Sequence, residues 1–453
     1  MRFPAIALLL GSVAGVLAAT QPLSDPDMFW HLATGRETLA HGIVRTDLFS
    51  WTVRGAPVST DQWLGQVLMY GAFAIGDWWA VAVLRVLEVV ALVSLVAVSA
   101  AFTGARPLAV VLASLPALLL TRAVWVDRPE LLGFVFFAAL LVLLRVGRGG
   151  RAMALVAVVP VIGFWACVHG SFALGVVLSV LVCAEGALRD VPRRRTYLAC
   201  AAASVLASLL TPAGLGAWTA PGFHLLSPPR YIQEWGVVDV RTPMGIAYVL
   251  TLAGVIACAL LGPRLALRDL VVLIPVALLS LTAARQAPLI AIAAAPLFAE
   301  RTELLLEHVL VRRDRAAQGL ARALVLVVPT ALVLAATIAA PRNVDDRSYP
   351  ADALSSIPSG DGTLARYEWG GWFIWQAPAF PVFIDGRLTP YLGGVVDDYQ
   401  RIVSAAPGWE DTVRRRGVRT LVVLPTDPVA IRAMELGWSM RFRSSDVVVI
   451  AVP

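Results

Sequence analysis

The sequence predicts an α-helical polytopic membrane protein of about eleven transmembrane helices, followed by a small C-terminal extracytoplasmic α/β domain. Three observations predict it. Of 453 residues, 58% are hydrophobic and only 15% charged, against about 25% charged in an ordinary soluble domain. Apolar runs of about 18 residues recur, each suited to a hydrocarbon core about 30 Å thick. From residue 341 to 453 the character changes. There the apolar runs are short and β-rich (Val382–Ile384, Thr420–Leu424 and Val447–Ile450), and helix-like pieces, Trp409–Arg416 and Pro428–Leu436, lie between the last of them. Strands alternating with helical patterns predict an α/β domain with a largely parallel sheet.

Taken in order, Arg2 precedes the first apolar run, Phe3–Thr20. A secretory leader is the competing reading. Leu17 suits the −3 position of a cleavage after Ala19 poorly, and many helices follow, so an uncleaved span is expected. A polar first external loop, 21–62, comes next, with an interfacial helix expected from about Met28 to Ala40. Trp63–Ile75 is a short apolar piece expected along the interface, with Trp78 and Trp79 as its aromatic belt. Spans follow at Trp79–Phe102, Pro107–Thr121, Leu131–Leu144, Ala152–Val168, Phe172–Leu188 and Tyr197–Leu210, and then at Ile246–Leu261, Leu270–Thr282, Pro288–Ala299 and Ala323–Ala339. The domains so expected are 1–340, membrane-embedded, and 341–453, extracytoplasmic.

The net charge of +6 comes without a single lysine. Its arginines cluster in alternate loops, such as Arg145, Arg148 and Arg151, or Arg193, Arg194 and Arg195. By the positive-inside rule these loops are cytoplasmic, the N-terminus is cytoplasmic, and both loop 21–62 and the tail are external. No basic, aromatic-interleaved patch points to nucleic acid. The four cysteines, Cys167, Cys183, Cys200 and Cys258, lie within apolar runs without metal spacing and read as small hydrophobes.

With that orientation the polar residues gather on the external side. The first loop brings Asp25, Asp27 and His31, and the second Arg122, Asp127, Arg128 and Glu130. A tight turn supplies His169-Gly170-Ser171, and a later loop His224, Arg230, Tyr231, Glu234, Trp235, Asp239 and Arg241. Arg285 and Gln286 follow, and the tail adds Tyr367-Glu368-Trp369 and Asp385-Gly386-Arg387. Polar groups at membrane depth usually face a protein interior or a wet cavity. Structural readings stand beside functional ones. Asp25 or Asp27 is a good helix N-cap as well as a candidate catalytic carboxylate. Asp27 and His31, four residues apart, share one helix face. Arg128 and Glu130 suit a loop ion pair, Arg85 and Glu88 an intramembrane pair, and Asp385-Gly386-Arg387 a strand-ending turn. No nucleophile elbow, phosphate-binding glycine loop or zinc-protease motif occurs.

These residues carry a resemblance. Asp25-Pro26-Asp27-Met28-Phe29-Trp30-His31-Leu32-Ala33-Thr34 resembles the acidic loop opening of oligosaccharyltransferase catalytic subunits, members of the GT-C superfamily of integral membrane glycosyltransferases. It is more similar still to bacterial GT-C-like proteins reading DPDxWWHLxTG, in which a QWL element follows (Gln62-Trp63-Leu64), then RPE (Arg128-Pro129-Glu130), HGS (His169-Gly170-Ser171) and VFIDGR (Val382 to Arg387). The resemblance covers nearly the whole chain. It implies transfer of a sugar from a polyprenyl-phosphate-linked donor to a glycan, lipid or protein acceptor of the cell envelope, at the external face of a bacterial inner membrane. It implies a first-loop catalytic carboxylate, Asp27 or Asp25, with His31 beside it. Arg128, Glu130, His169, Arg285, Asp385 and Arg387 would bind the donor phosphate or substrate, since guanidinium matches phosphate oxygens. A divalent metal is implied at most at Asp127 and Glu130, whose spacing departs from the DxD pattern; no other cofactor is. The tail lacks a WWDYG-type motif, so asparagine-linked protein glycosylation is not expected. The alternative is a non-enzymatic transporter, flippase or envelope assembly factor reusing the same fold. No internal repeat of broken spans favours it.

Overall fold

The computed structural model describes residues 3–219, 235–309 and 320–453. Its contacts divide the chain into two compact units: 1–21 with 79–342, and 22–78 with 343–453. Residues 22–62 thus pack with the tail.

The first unit is helical. A helix stands at each of the predicted spans: α1 Phe3–Ala19, the second part of α3 Trp63–Ala101, α4 Pro107–Thr121, α5 Pro129–Arg148, α6 Ala152–Val168, α7 Phe172–Arg189 and α8 Arg194–Ser208, then Pro243–Leu261, Leu267–Ser280, Ala287–Val309 and Leu320–Ala339. Among the described residues, five helices are long and apolar enough to cross a membrane, including α3, α5, α7 and Pro243–Leu261. Shorter apolar helices occur at Pro4–Ala19, Ala152–Val168 and Val328–Ala339. The protein is a polytopic α-helical membrane protein. Between lipid-like surfaces, association depends on close packing, and small residues supply it. A Cβ on Gly11 of α1 would overlap Ser94 of α3, and one on Gly15 would lie 2.6 Å from Val90 Cγ2. On α7, a Cβ on Gly186 would come within 2.6 Å of the Tyr197 ring of α8. The four cysteines are free thiols.

α3 breaks where the sequence predicts a change of role. Gly76 and Asp77 leave helical geometry, Asp77 at φ 55°, and Asp77 Oδ1 accepts the Trp78 N–H at 2.8 Å. Trp63–Ile75 therefore belongs to the second unit, beside α2 Pro26–His41.

The second unit holds a four-stranded sheet in the order β1 Thr363–Ala365, β2 Thr420–Val423, β4 Val448–Ala451, β3 Ser439–Arg443. Only β1 and β2 are parallel; β2–β4 and β3–β4 are antiparallel. This corrects the expected largely parallel sheet. β3 and β4 are joined by the short turn at Ser444–Val447, which closes with Ser444 N–H on the Val447 carbonyl at 2.8 Å, and a connection that short can only join antiparallel strands. The expected helices at Trp409–Arg416 and Pro428–Glu435 are present. Val382–Ile384 is not a strand of this sheet. Val382 instead donates to the Phe49 carbonyl and accepts from Trp51 N–H, both at 3.1 Å, so its backbone is spent on the first loop. The Trp51 indole donates to the Thr363 carbonyl at 3.1 Å and packs edge-on to Phe383 at 5.4 Å.

Candidate functional site

The site in the second unit starts at the N-terminus of α2. Asp25 is extended (φ −70°, ψ 119°), Pro26 opens the helix, and Asp25 Oδ1 accepts the Asp27 N–H at 2.9 Å. Asp25 is the N-cap, satisfying one of the orphan amides of the first turn, and Pro26 suits the first helical position because it lacks an N–H to orphan. Asp27, one position further on, lies in the first turn, where the helix dipole favours negative charge. Its Oδ1 accepts the Trp30 indole N–H at 3.0 Å.

Asp27 sits against bare backbone of the tail. A Cβ on Gly386 would overlap Asp27 Oδ1, and a Cβ on Gly371 would overlap the Pro26 carbonyl. Gly370 in turn admits the Ile384 carbonyl. Gly371 and Gly386 thus let the acidic turn approach where a side chain would exclude it, and Gly370 lets the tail pack on itself. Tyr349 closes this corner, its hydroxyl donating to the Ser24 carbonyl at 3.2 Å. Burial, and then the charge of Asp25, push its phenol well up, so it stays neutral.

His31 is buried, with Gln66 Nε2 3.4 Å from its Nδ1 and the Trp30 ring 3.5 Å away. On the helix face that they share, Asp27 meets Trp30 and His31 meets Gln66.

Beneath Gly386 lies a buried ion cluster. Asp385 is fully buried and accepts Arg387 Nε at 2.7 Å and Arg387 Nη2 at 2.5 Å, a bidentate pair. The Tyr391 hydroxyl donates to Asp385 Oδ2. Arg387 Nη1 reaches Asp47 Oδ1 at 2.6 Å, and Asp47 Oδ2 accepts both the N–H (2.9 Å) and the hydroxyl (2.6 Å) of Ser50. Burial alone would lower the Arg387 pKa; Asp385 overrides it and holds the guanidinium charged. Burial and then the Asp385 charge raise the Tyr391 phenol well above its usual range. Asp385 and Arg387, singled out as substrate contacts, are thus engaged with Asp47 and Tyr391, which the sequence reading did not select. Tyr391 lies four residues after Arg387, and that spacing is the one signal available for it. Asp47 pairs across a long sequence gap and leaves none.

The first unit holds the other candidates. Arg128 precedes α5 in extended geometry, and Glu130 lies in its first turn. Glu130 meets Arg285 twice, Oε2 to Nη2 at 2.7 Å and Oε1 to Nε at 3.1 Å. Arg285 stacks over Trp235 at 4.7 Å, and His169 and Arg128 are close enough to act on the Glu130 charge. The structure therefore brings four predicted residues together: Arg128, Glu130, His169 and Arg285. Asp127 takes a different partner. Arg85, expected beside Glu88, donates to Asp127 Oδ2 and to the Gln21 carbonyl, each at 2.7 Å. Among the described residues no three metal-ligating side chains gather. Asp127 and Glu130 each face a guanidinium, which repels a cation, so these two residues do not fit a divalent metal. His224, Arg230, Tyr231 and Glu234 lie outside the described residues.

No protein-family model matches the chain, and no curated protein matches it. Solved structures do. The oligosaccharyltransferase of Archaeoglobus fulgidus, in its apo form, is 12% identical with a TM-score of 0.54, over 94% of this chain and 70% of that one. The same enzyme, AglB, in complex with an inhibitory peptide and a dolichol-phosphate, is 12% identical with a TM-score of 0.55, over 92% and 68%. ArnT from Cupriavidus metallidurans, in the apo state, is 16% identical with a TM-score of 0.56, over 97% of this chain and 96% of that one. The chain therefore has the fold of the GT-C integral membrane glycosyltransferases, to which it is distantly similar.

Proposed function

We propose that this protein is a membrane glycosyltransferase that moves a sugar from a polyprenyl-phosphate-linked donor to a cell-envelope acceptor at the extracytoplasmic face of a bacterial inner membrane. One observation carries the assignment of its carboxylate: Asp25 caps α2, whereas Asp27, equally half-buried, is the one seated against the backbone of Gly386. In this reading Asp27 accepts the proton of the acceptor nucleophile as that atom bonds to the anomeric carbon. The bond from anomeric carbon to phosphate oxygen breaks, and the lipid phosphate leaves with the electron pair. Trp30 orients the carboxylate, and Asp385 and Arg387 act through Gly386 as positioning residues. Arg128 and Arg285 are suited to the donor phosphate, a guanidinium matching two phosphate oxygens at once. Likeness of fold to AglB, which is seen with dolichol-phosphate and peptide, supports the choice of donor class.

The test is Asp27→Asn in membranes supplied with labelled polyprenyl-phosphate sugar. The substitution keeps size and removes basicity, so transfer should fall by about 10²–10⁴-fold, the usual contribution of a positioned general base. Undiminished transfer removes Asp27 from this role.

A further inference from the structure

On the surface of the tail, three guanidinium groups converge on one carboxylate. Asp398 belongs to the helix Val395–Val403, and Arg401 lies one turn further along it. Arg415 and Arg416 end the helix Trp409–Arg416. Asp398 Oδ1 accepts Arg415 Nη2 at 2.9 Å and Arg401 Nη1 at 3.2 Å, and Asp398 Oδ2 accepts Arg416 Nε at 2.7 Å. Burial alone would raise the Asp398 carboxyl; Arg416 and Arg415 override it and hold it below the usual carboxylate range. At neutral pH the cluster therefore sets one negative charge against three positive ones.

Exposure shows which part of the cluster is open. The Asp398 side chain is 10% exposed, whereas those of Arg415 and Arg401 are 58% and 43% exposed. A guanidinium presents a planar fork of N–H donors, and each of the three turns a single nitrogen to Asp398. Basic residues in the last turn of a helix suit its dipole, but the dipole does not bring them to a carboxylate of another helix. Ion pairs this exposed add little to stability, so tying two helices together does not call for three arginines. Like charges held this close repel one another until a further anion joins them. The excess of two positive charges matches a phosphate monoester, which carries roughly −1.5 to −2 at neutral pH. Its oxygens also fit guanidinium forks two at a time.

We propose that Arg401, Arg415 and Arg416 form a binding site for a phosphate monoester, with Asp398 holding the three guanidinium groups together. None of these four residues has a part in the sugar transfer proposed for Asp27, and the site is independent of that reading.

The experiment titrates the full-length protein in a neutral detergent, at neutral pH and constant ionic strength in chloride. One arm uses inorganic phosphate and the other dihexanoyl phosphatidic acid, and the heat of binding is recorded. The step scored is the one that Arg415→Gln weakens, by on the order of tenfold, the loss of one hydrogen bond to a charged group. The thermal midpoint of this variant without ligand should match the parent, which a merely structural ion pair would not allow. Arg401→Gln should weaken the same step, and it carries the test if Arg415→Gln does not fold. Arg414→Gln is the control, because Arg414 lies in the same turn but pairs with Asp411 at 2.6 Å; it should bind as the parent does. Equal weakening by Arg414→Gln would reveal diffuse charge in place of a site and overturns the proposal. Finding no step in either arm that Arg415→Gln or Arg401→Gln weakens overturns it as well. Phosphatidic acid bound at least about tenfold tighter than inorganic phosphate, again one charged hydrogen bond or more, identifies the ligand as a lipid headgroup. Equal or weaker binding identifies a phosphate met in solution, and either result supports the site.

Discussion

Two arginine–carboxylate clusters in this protein are built on opposite terms. In the unit formed by the first loop and the tail, one guanidinium, Arg387, serves two carboxylates, Asp385 and Asp47, whose side chains are wholly buried. In the helical unit, Glu130 takes Arg285 in a two-point pair, and a second arginine, Arg128, and His169 act on the same carboxylate. The first cluster has more acid than base and is closed by Tyr391 and Ser50. The second has more base than acid, with side chains at 14% and 10% exposure. A closed cluster serves the fold, because its opposite charges are buried against one another. A cationic, partly exposed cluster is one an anion can approach. The same residue pair, Arg with Asp or Glu, thus has different uses depending on stoichiometry and burial.

The largest expected effect tests the closed cluster. Arg387→Ala strands Asp385 and Asp47 without a counter-charge, and breaking a buried pair costs about 3–5 kcal/mol. Thermal unfolding of the purified protein should register this as a marked fall in midpoint; an unchanged midpoint would mean that the cluster is not what holds the first loop to the tail. A smaller loss is expected from Gly386→Ala, because the added methyl overlaps Asp27 Oδ1. Overpacking of this kind costs about 1–3 kcal/mol. Its distinguishing sign is a loss of sugar transfer in protein that still folds, and full activity would show that the seat of Asp27 is unimportant. The smallest effect is that of Asp25→Ala, which removes an N-cap worth about 1 kcal/mol. Its cost should appear in unfolding experiments, and its effect on transfer should stay well below that of Asp27→Asn. Equal losses of transfer would reverse the roles assigned to the two aspartates.

Much of the helical unit was legible because its signal is local. A run such as Ala152–Val168 must satisfy its own backbone in lipid, and a helix is the way one segment does so; the predicted and observed bounds agree there. The break in α3 was legible from Gly76-Asp77-Trp78-Trp79 for the same reason. The tail was harder to read. Trp409–Arg416 was correctly anticipated as a helix, but Val382–Ile384 reads as a strand in any local window. Its partners are Phe49 and Trp51, more than three hundred residues earlier, and no local pattern announces that pairing. The sheet direction was missed at two pairs: β3–β4, joined by one short turn, and β2–β4, which meet across an intervening helix and strand.

The site divides along the same line. Asp25, Asp27, His31, Arg128, Glu130, His169, Arg285, Asp385 and Arg387 were picked from motifs, and of these Arg128, Glu130, His169 and Arg285 gather in the helical unit. Sequence also placed the start of α2 near Met28, with Asp25 or Asp27 as its cap. Which aspartate caps and which one meets Gly386 was decided by tertiary structure, because an N-cap is defined by backbone angles and a close approach by the backbone of a distant segment. The partner of Asp127 and the two-carboxylate service of Arg387 were likewise decided in three dimensions. Charge and hydrogen-bond direction depend on who stands within about 3 Å, and in this chain those neighbours include residues remote in sequence.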